Sequence, residues 1–201
     1  MSQSKVIADV GKTLKKLLFD NIKLDLDIYT AIIGSEQDIS LFPPAENQDG
    51  GDKKLSLFLY QVVENPFLKN QDMIKLNSGH LKHVPLTLDL FYLITPMTGD
   101  IEKNNILLGR VMQILFDHAT VRGSLLQGCL AGTAEELRVT LHAISLEDLL
   151  KLWEGFSEKA YKLSVCYQVT PVKIDSSREE TPRRILEKEA DYSKIVSKEE
   201  T

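Results

Sequence analysis

The sequence predicts a mixed α and β domain, with a mainly antiparallel sheet flanked by helices. Two observations carry that prediction. Three blocks read with the two-residue period of a strand, apolar on both faces in the first and alternating apolar with polar in the last, and stop at or near proline: KLSLFLYQVVENP (54–66), VPLTLDLFYLITP (84–96) and YKLSVCYQVTPVKID (161–175). Between them, ILLGRVMQILFDH (106–118) and the second half of LRVTLHAISLEDLLKLW (137–153) repeat at helical spacing.

Taken in chain order, residues 5–21 read as an amphipathic helix, since Val6, Val10, Leu14, Leu17 and Leu18 share one stripe away from Lys12, Lys15 and Lys16. Residues 28–33 (IYTAII) are β-branched and aromatic and end at Gly34, which predicts a strand. Pro43-Pro44 and the polar run through Gly50-Gly51 predict a loop.

In the next strand Leu55, Leu57 and Leu59 share one face and Phe58, Tyr60 and Val62 the other, so both sides are expected to be covered; Asn65-Pro66 ends it. Residues 67–83 are mostly polar and predict a long loop. A strand over 86–95 places Leu86, Leu88, Leu90, Tyr92 and Ile94 on one face and stops at Pro96.

Asp100 then caps a helix whose stripe is Leu108, Val111, Met112 and Leu115, closing near His118. Three glycines make 119–135 a loop. A strand over 137–143 turns Leu137, Val139 and Leu141 inward and Arg138, Thr140 and His142 outward. Ser145 and Asp148 have capping-box spacing ahead of Leu146, Leu149, Leu150 and Trp153. In the last strand Tyr161, Leu163, Val165, Tyr167 and Val169 oppose Lys162, Ser164, Cys166, Gln168 and Thr170, a face expected to meet solvent or a partner.

After Ser176 the composition turns to charge. The expected division is therefore a domain over 1–176 and a charged C-terminal extension over 177–201, in which Thr181-Pro182 opens a short helix bearing Ile185 and Leu186.

With 201 residues, 43% of them hydrophobic and 26% charged, the chain can bury a sizeable core. A formal charge of −5 disfavours nucleic acid and anionic membrane as main partners, because both select basic surface. No apolar run approaches the ~20 residues that span a bilayer, so no direct membrane insertion is expected. The opening Met-Ser-Gln-Ser-Lys-Val lacks an apolar signal core, which points to a cytoplasmic place and two reduced thiols, Cys129 and Cys166.

Reaction chemistry is sparse. His80 and His83 have metal-pair spacing but no cysteine nearby to complete a tetrahedral set, so they read as solvated loop histidines. His118 after Asp117 reads as a helix cap, and His142 lies on a polar strand face. There is no G-x-S-x-G elbow, no S-x-x-K and no phosphate loop, and Glu135-Glu136, Glu147-Asp148 and Glu179-Glu180 are adjacent pairs that point apart. No catalytic residue, cofactor or metal is expected. Tyr60, Tyr92, Tyr161, Tyr167 and Trp153 read first as core and second as subunit contacts.

The order and spacing of LSLFLYQVVENP, PLTLDLFYLITP, LLGRVMQILFDH, ISLEDLLKLW (144–153) and YKLSVCYQVTPVKIDS, with Glu64-Asn65-Pro66 and Leu108-Gly109-Arg110, resemble the cap, or tail-terminator, proteins of phage-tail-like contractile injection systems over residues 5–176. The resemblance implies a non-catalytic terminator domain forming a homo-hexameric ring on the distal end of the inner tube. Such a ring also meets the sheath and ends polymerisation during assembly in the cytoplasm, within a particle that is then released or stays cell-associated. Lys162, Ser164, Gln168, Thr170, Ile185 and Leu186 are the expected subunit contacts. An adaptor that binds a cargo or another tube-junction component is the alternative, and a hydrolase with an unfamiliar site is a third reading.

Overall fold

A computed structural model describes residues 3–44, 53–69, 74–77, 80–156, 161–176 and 179–180. Its centre is strand β5 (Leu86–Pro96), which pairs antiparallel with β2 (Leu55–Glu64) on one side and β8 (Val165–Ile174) on the other. Beyond β8 lie β7 (Glu136–His142) and the short β6 (Thr120–Arg122), both antiparallel, while β1 (Ile39–Ser40) runs parallel to β2 at the opposite edge. The sheet order is β1-β2-β5-β8-β7-β6. The fold is mixed α/β, with a curled, mainly antiparallel sheet.

Helices α1 (Val6–Ile22) and α3 (Ile101–Asp117) cover one face. The stripe Val6, Val10, Leu14, Leu17, Leu18 and Ile22 is buried against Leu57, Leu90, Tyr92, Ile94, Val139, Tyr167 and Val169. At about 25 cal/mol per Å² of apolar surface removed from water, this layer is the main source of stability. Asp100 caps α3 as expected, its side chain accepting from Glu102 N (2.9 Å) and Lys103 N (3.3 Å). Leu107 and Ile114 join Leu108, Val111 and Leu115 on its buried side. His118 closes the helix, with Nδ1 3.0 Å from the Ile114 carbonyl.

Part of the other face is covered by α4 (Leu146–Glu154), where Leu149 and Trp153 sit on Leu93 and Cys166. Ser145 caps α4 by accepting from Asp148 N at 3.1 Å, and its hydroxyl meets the Asp148 carboxylate at 2.6 Å. Aromatic rings extend the layer: Trp153 meets Phe156 (5.5 Å) and Tyr161 (5.7 Å), and Phe156 meets Phe58 (5.7 Å).

Four expectations are corrected. Residues 28–33 are not a strand, because Asp25 accepts from Ile28 N at 3.3 Å and opens helix α2 (Leu26–Ala31) instead. A local cap outweighs β-branched propensity there. Within 67–83 the backbone forms a hairpin, β3 (Ile74–Asn77) with β4 (His80–Lys82), and β4 also pairs with β9 (Glu179–Glu180) from the expected extension. The glycine-rich stretch 119–135 contributes β6 and two short 3-10 turns, Gly123–Leu125 and Gly128–Leu130.

The fourth concerns apolar faces read as fully covered. Leu141 is 58% exposed at the end of β7, and Val62 and Val63 emerge past a bulge between Leu59 and Gln61. Leu146 and Leu150 likewise point out of α4, and Met112 is only half-buried on α3.

The second 3-10 turn is bolted to α1. Asp9 is buried and accepts from Cys129 N at 2.9 Å, while Thr13 Oγ1 accepts from Gln127 N at 3.1 Å. Gly128 has φ +62°, and a Cβ there would lie 2.3 Å from the Asp9 carboxyl carbon. Left-handed strain and this collision predict that Gly128→Ala lowers unfolding free energy by about 2 kcal/mol or more, measured by urea titration. The Cys129 amide, and then Lys12, hold the Asp9 carboxyl down at about 2. Because this pKa is depressed in the folded state, its stabilisation is present above the ordinary value of 3.8 and fades as pH falls toward about 2. Asp9→Asn is expected to flatten that part of the acid unfolding curve.

Candidate assembly surface

The polar face of the last strand was expected to meet solvent or a partner, but much of it is covered within the protein, with Ser164 and Cys166 buried and Lys162, Gln168 and Thr170 half-buried. Ser164 is buried, its hydroxyl 2.8 Å from Thr95 Oγ1 and donating to the Lys162 carbonyl at 2.9 Å. Cys166 is buried under α4. Gln168 is half-buried opposite Thr140, and Lys162 is half-buried at the mouth of a hollow of about 310 Å³ beside Pro96, Ile101, Tyr161 and Leu163. Ile185 and Leu186 lie outside the described residues.

Thr170 belongs to a buried polar cluster absent from the sequence reading. Its hydroxyl donates to Asp89, the one charged residue in the strand LTLDLFYLIT. The Asn65 carboxamide donates to Asp89 Oδ1 at 2.9 Å and approaches Thr170 Oγ1 at 3.3 Å. Asn65 also accepts from Phe67 N (3.0 Å) and Leu68 N (3.1 Å), and its own N–H donates to the Thr87 carbonyl at 2.8 Å. One asparagine thus fastens the turn after β2 to β5 and β8. The lone aspartate in an apolar strand was the signal that finds this cluster, because a buried carboxylate needs donors. Above it opens a hollow of about 580 Å³ edged by Phe67, Glu136, Arg138 and Lys173.

Nucleophilic chemistry is poorly served. Burial pushes both thiols up, aided at Cys129 by the Asp9 carboxylate and opposed at Cys166 by its hydrogen bond with Tyr60, so at neutral pH neither is a ready thiolate. Burial also raises Tyr60, Tyr92 and Tyr167. The two cysteines are free rather than bonded to each other. His142 stacks edge-on with Phe91 at 4.8 Å. Among the described residues no three His, Cys, Asp or Glu side chains converge as metal ligands, and no helix is long and apolar enough to cross a membrane.

A family model described as the Pvc16 N-terminal domain matches residues 9–188. The chain belongs to the Pvc16 N-terminal domain family. The matched stretch runs past the boundary expected at 176 and takes in β9, the strand that returns to β4. Two solved structures share this fold. One is the sheath/tube terminator of an extracellular contractile injection system, PVC, in its extended state, with a TM-score of 0.61 and 18% identity over 95% of this chain. The other is the anti-feeding prophage cap, a tube-terminating cap, with a TM-score of 0.51 and 18% identity over 83% of this chain.

This chain spans 65% of the first relative and 58% of the second. No curated protein matches it in sequence. The resemblance carried by the five blocks therefore holds as a likeness of fold to a sheath/tube terminator and a tube-terminating cap, within the Pvc16 N-terminal domain family.

Replacing Asn65 removes donors from the buried Asp89 carboxylate and the acceptor of two turn amides. Asn65→Ala is expected to cost about 2–3 kcal/mol in urea unfolding, and Asn65→Asp more, because it sets a second carboxylate against Asp89.

Proposed function

We propose that this chain is a structural cap of a contractile injection system. Six copies form a ring on the distal end of the inner tube, meet the sheath there, and end polymerisation without catalysis. The observation that carries this reading is the terminator fold shared over 95% of the chain with a protein described as a sheath/tube terminator. The chemistry of the site supports it: the polar groups of the sheet bind each other, and the two thiols are held protonated. Large apolar side chains such as Phe67, Leu141 and Leu163 are instead left at the surface, where they serve contacts between proteins.

A ring of six closes when each head-to-tail contact turns the next copy by about sixty degrees. Lys162, Gln168 and Thr170 are only half-buried and remain candidates for those contacts, together with Ile185 and Leu186; Ser164 contributes from within the fold. Assembly takes place in the cytoplasm, and the finished particle carries the cap.

Native mass spectrometry with purified inner tube is expected to give a hexamer of this chain or a hexamer bound at tube ends. A persistent monomer bound to one cargo chain would replace this reading with that of an adaptor. Electron microscopy of particles assembled without the chain is expected to show tubes and sheaths of uncontrolled length, and normal lengths with intact ends would refute the cap.

A further inference from the structure

The turn after β2 has its backbone fixed by hydrogen bonds yet leaves one large side chain bare. Asn65 fixes the turn from inside, through two backbone N–H groups of the turn and the Asp89 carboxylate. Phe67 at its tip is nevertheless 91% exposed. A phenyl ring on a pre-ordered turn makes an interface anchor without the ordering cost that a flexible segment incurs, and aromatic anchors bury about 150–250 Å² each.

The opposite end of the same strands carries the matching cavity. The hollow of about 310 Å³ at Pro96 is walled by Ile101, 79% exposed, Leu163, 55% exposed, and Tyr161, whose ring is braced edge-on by Trp153 at 5.7 Å. Strand β5 runs eleven residues between the two places, so turn and hollow stand about 35 Å apart on a rigid sheet. They cannot meet within one chain. They can meet between two.

We propose that Phe67 of one copy inserts into the hollow bounded by Ile101, Tyr161 and Leu163 of the next copy, forming the head-to-tail contact of an assembly of this chain. The proposal rests on the ring reading above and names its joint. Charge gives a second copy one complementary pair: Glu64, exposed beside the turn where Lys69 is exposed too, can meet Lys162 of the hollow. Placement agrees too, because a contact that repeats around a ring needs an offering surface and a receiving surface on opposite flanks.

The test uses the full chain with purified inner tube. Phe67→Cys and Leu163→Cys are made singly, mixed and oxidised, with wild type as the control for Cys129 and Cys166. A cross-linked pair is expected in the mixture and in neither variant alone, and the double variant is expected to give a ladder ending at six copies. Phe67→Ala is expected to weaken assembly on the order of tenfold to a hundredfold across a dilution series, with thermal unfolding unchanged because the ring is exposed. Glu64→Lys is expected to weaken assembly, and adding Lys162→Glu in the same chain to restore it.

A wild-type ring that forms while the cysteines fail to link and Phe67→Ala assembles normally would overturn the joint and leave the ring standing. Rings of Phe67→Ala that form normally but no longer hold the tube would also overturn it, by assigning Phe67 to the tube. A wild-type chain that stays monomeric on tube ends would remove both readings together.

Discussion

The rest of the structure depends on the two-sided burial of β5. Leu88, Leu90, Tyr92 and Ile94 enter the layer under α1 and α3, while Leu93 enters the layer under α4 and Asp89 the polar cluster on that same face. A strand covered on both faces needs partners on both edges and helices above and below, and β2, β8 and the helices supply them. The polar residues that remain on that strand then have to be satisfied inside the protein. Thr95 meets Ser164, and Asp89 meets Asn65 and Thr170.

That requirement divides the surface into two kinds of region. Where polar groups satisfy one another, as around Asp89 and Ser164, they are taken up inside the protein. Where the helices stop short of the sheet ends, apolar side chains stay uncovered, at Phe67 and Leu141 and around Ile101 and Leu163. The fold that carries this division is similar to those of a sheath/tube terminator and a tube-terminating cap.

Periodicity read the elements that pack as isolated sequence logic demands. Helices α1, α3 and α4 and strands β2, β5 and β7 appear where apolar spacing, Asp100, Ser145 and the prolines put them, whereas β8 starts only at Val165, not at Tyr161 as its alternation predicted, and runs on through Pro171. What escaped was decided by something outside the local pattern. The Asp25 cap turned IYTAII into a helix, and pairing with a distant Glu179–Glu180 helps organise a polar stretch as a hairpin. The polar face of β8 alternated cleanly, yet alternation cannot reveal that α4 would fold back over Cys166, or that Ser164 and Thr170 would find partners across the sheet. Asn65 was read as a stop before proline and as part of the Glu64-Asn65-Pro66 signature, not as a buried clamp, because its four side-chain partners come from two other strands and its own turn.

The bolt between Asp9 and Cys129 spans 120 residues of chain, and α1 also lies against Val169 and Val172 near the far end of the domain. Helix α1 therefore finds its full seat only after β8 has been made. Until β8 arrives, the apolar stripe of α1 has no complete surface to cover it. Non-local closure of this kind slows folding and leaves greasy surface open to misassociation. Folding of this chain therefore gains from keeping unfinished chains apart until each sheet is whole.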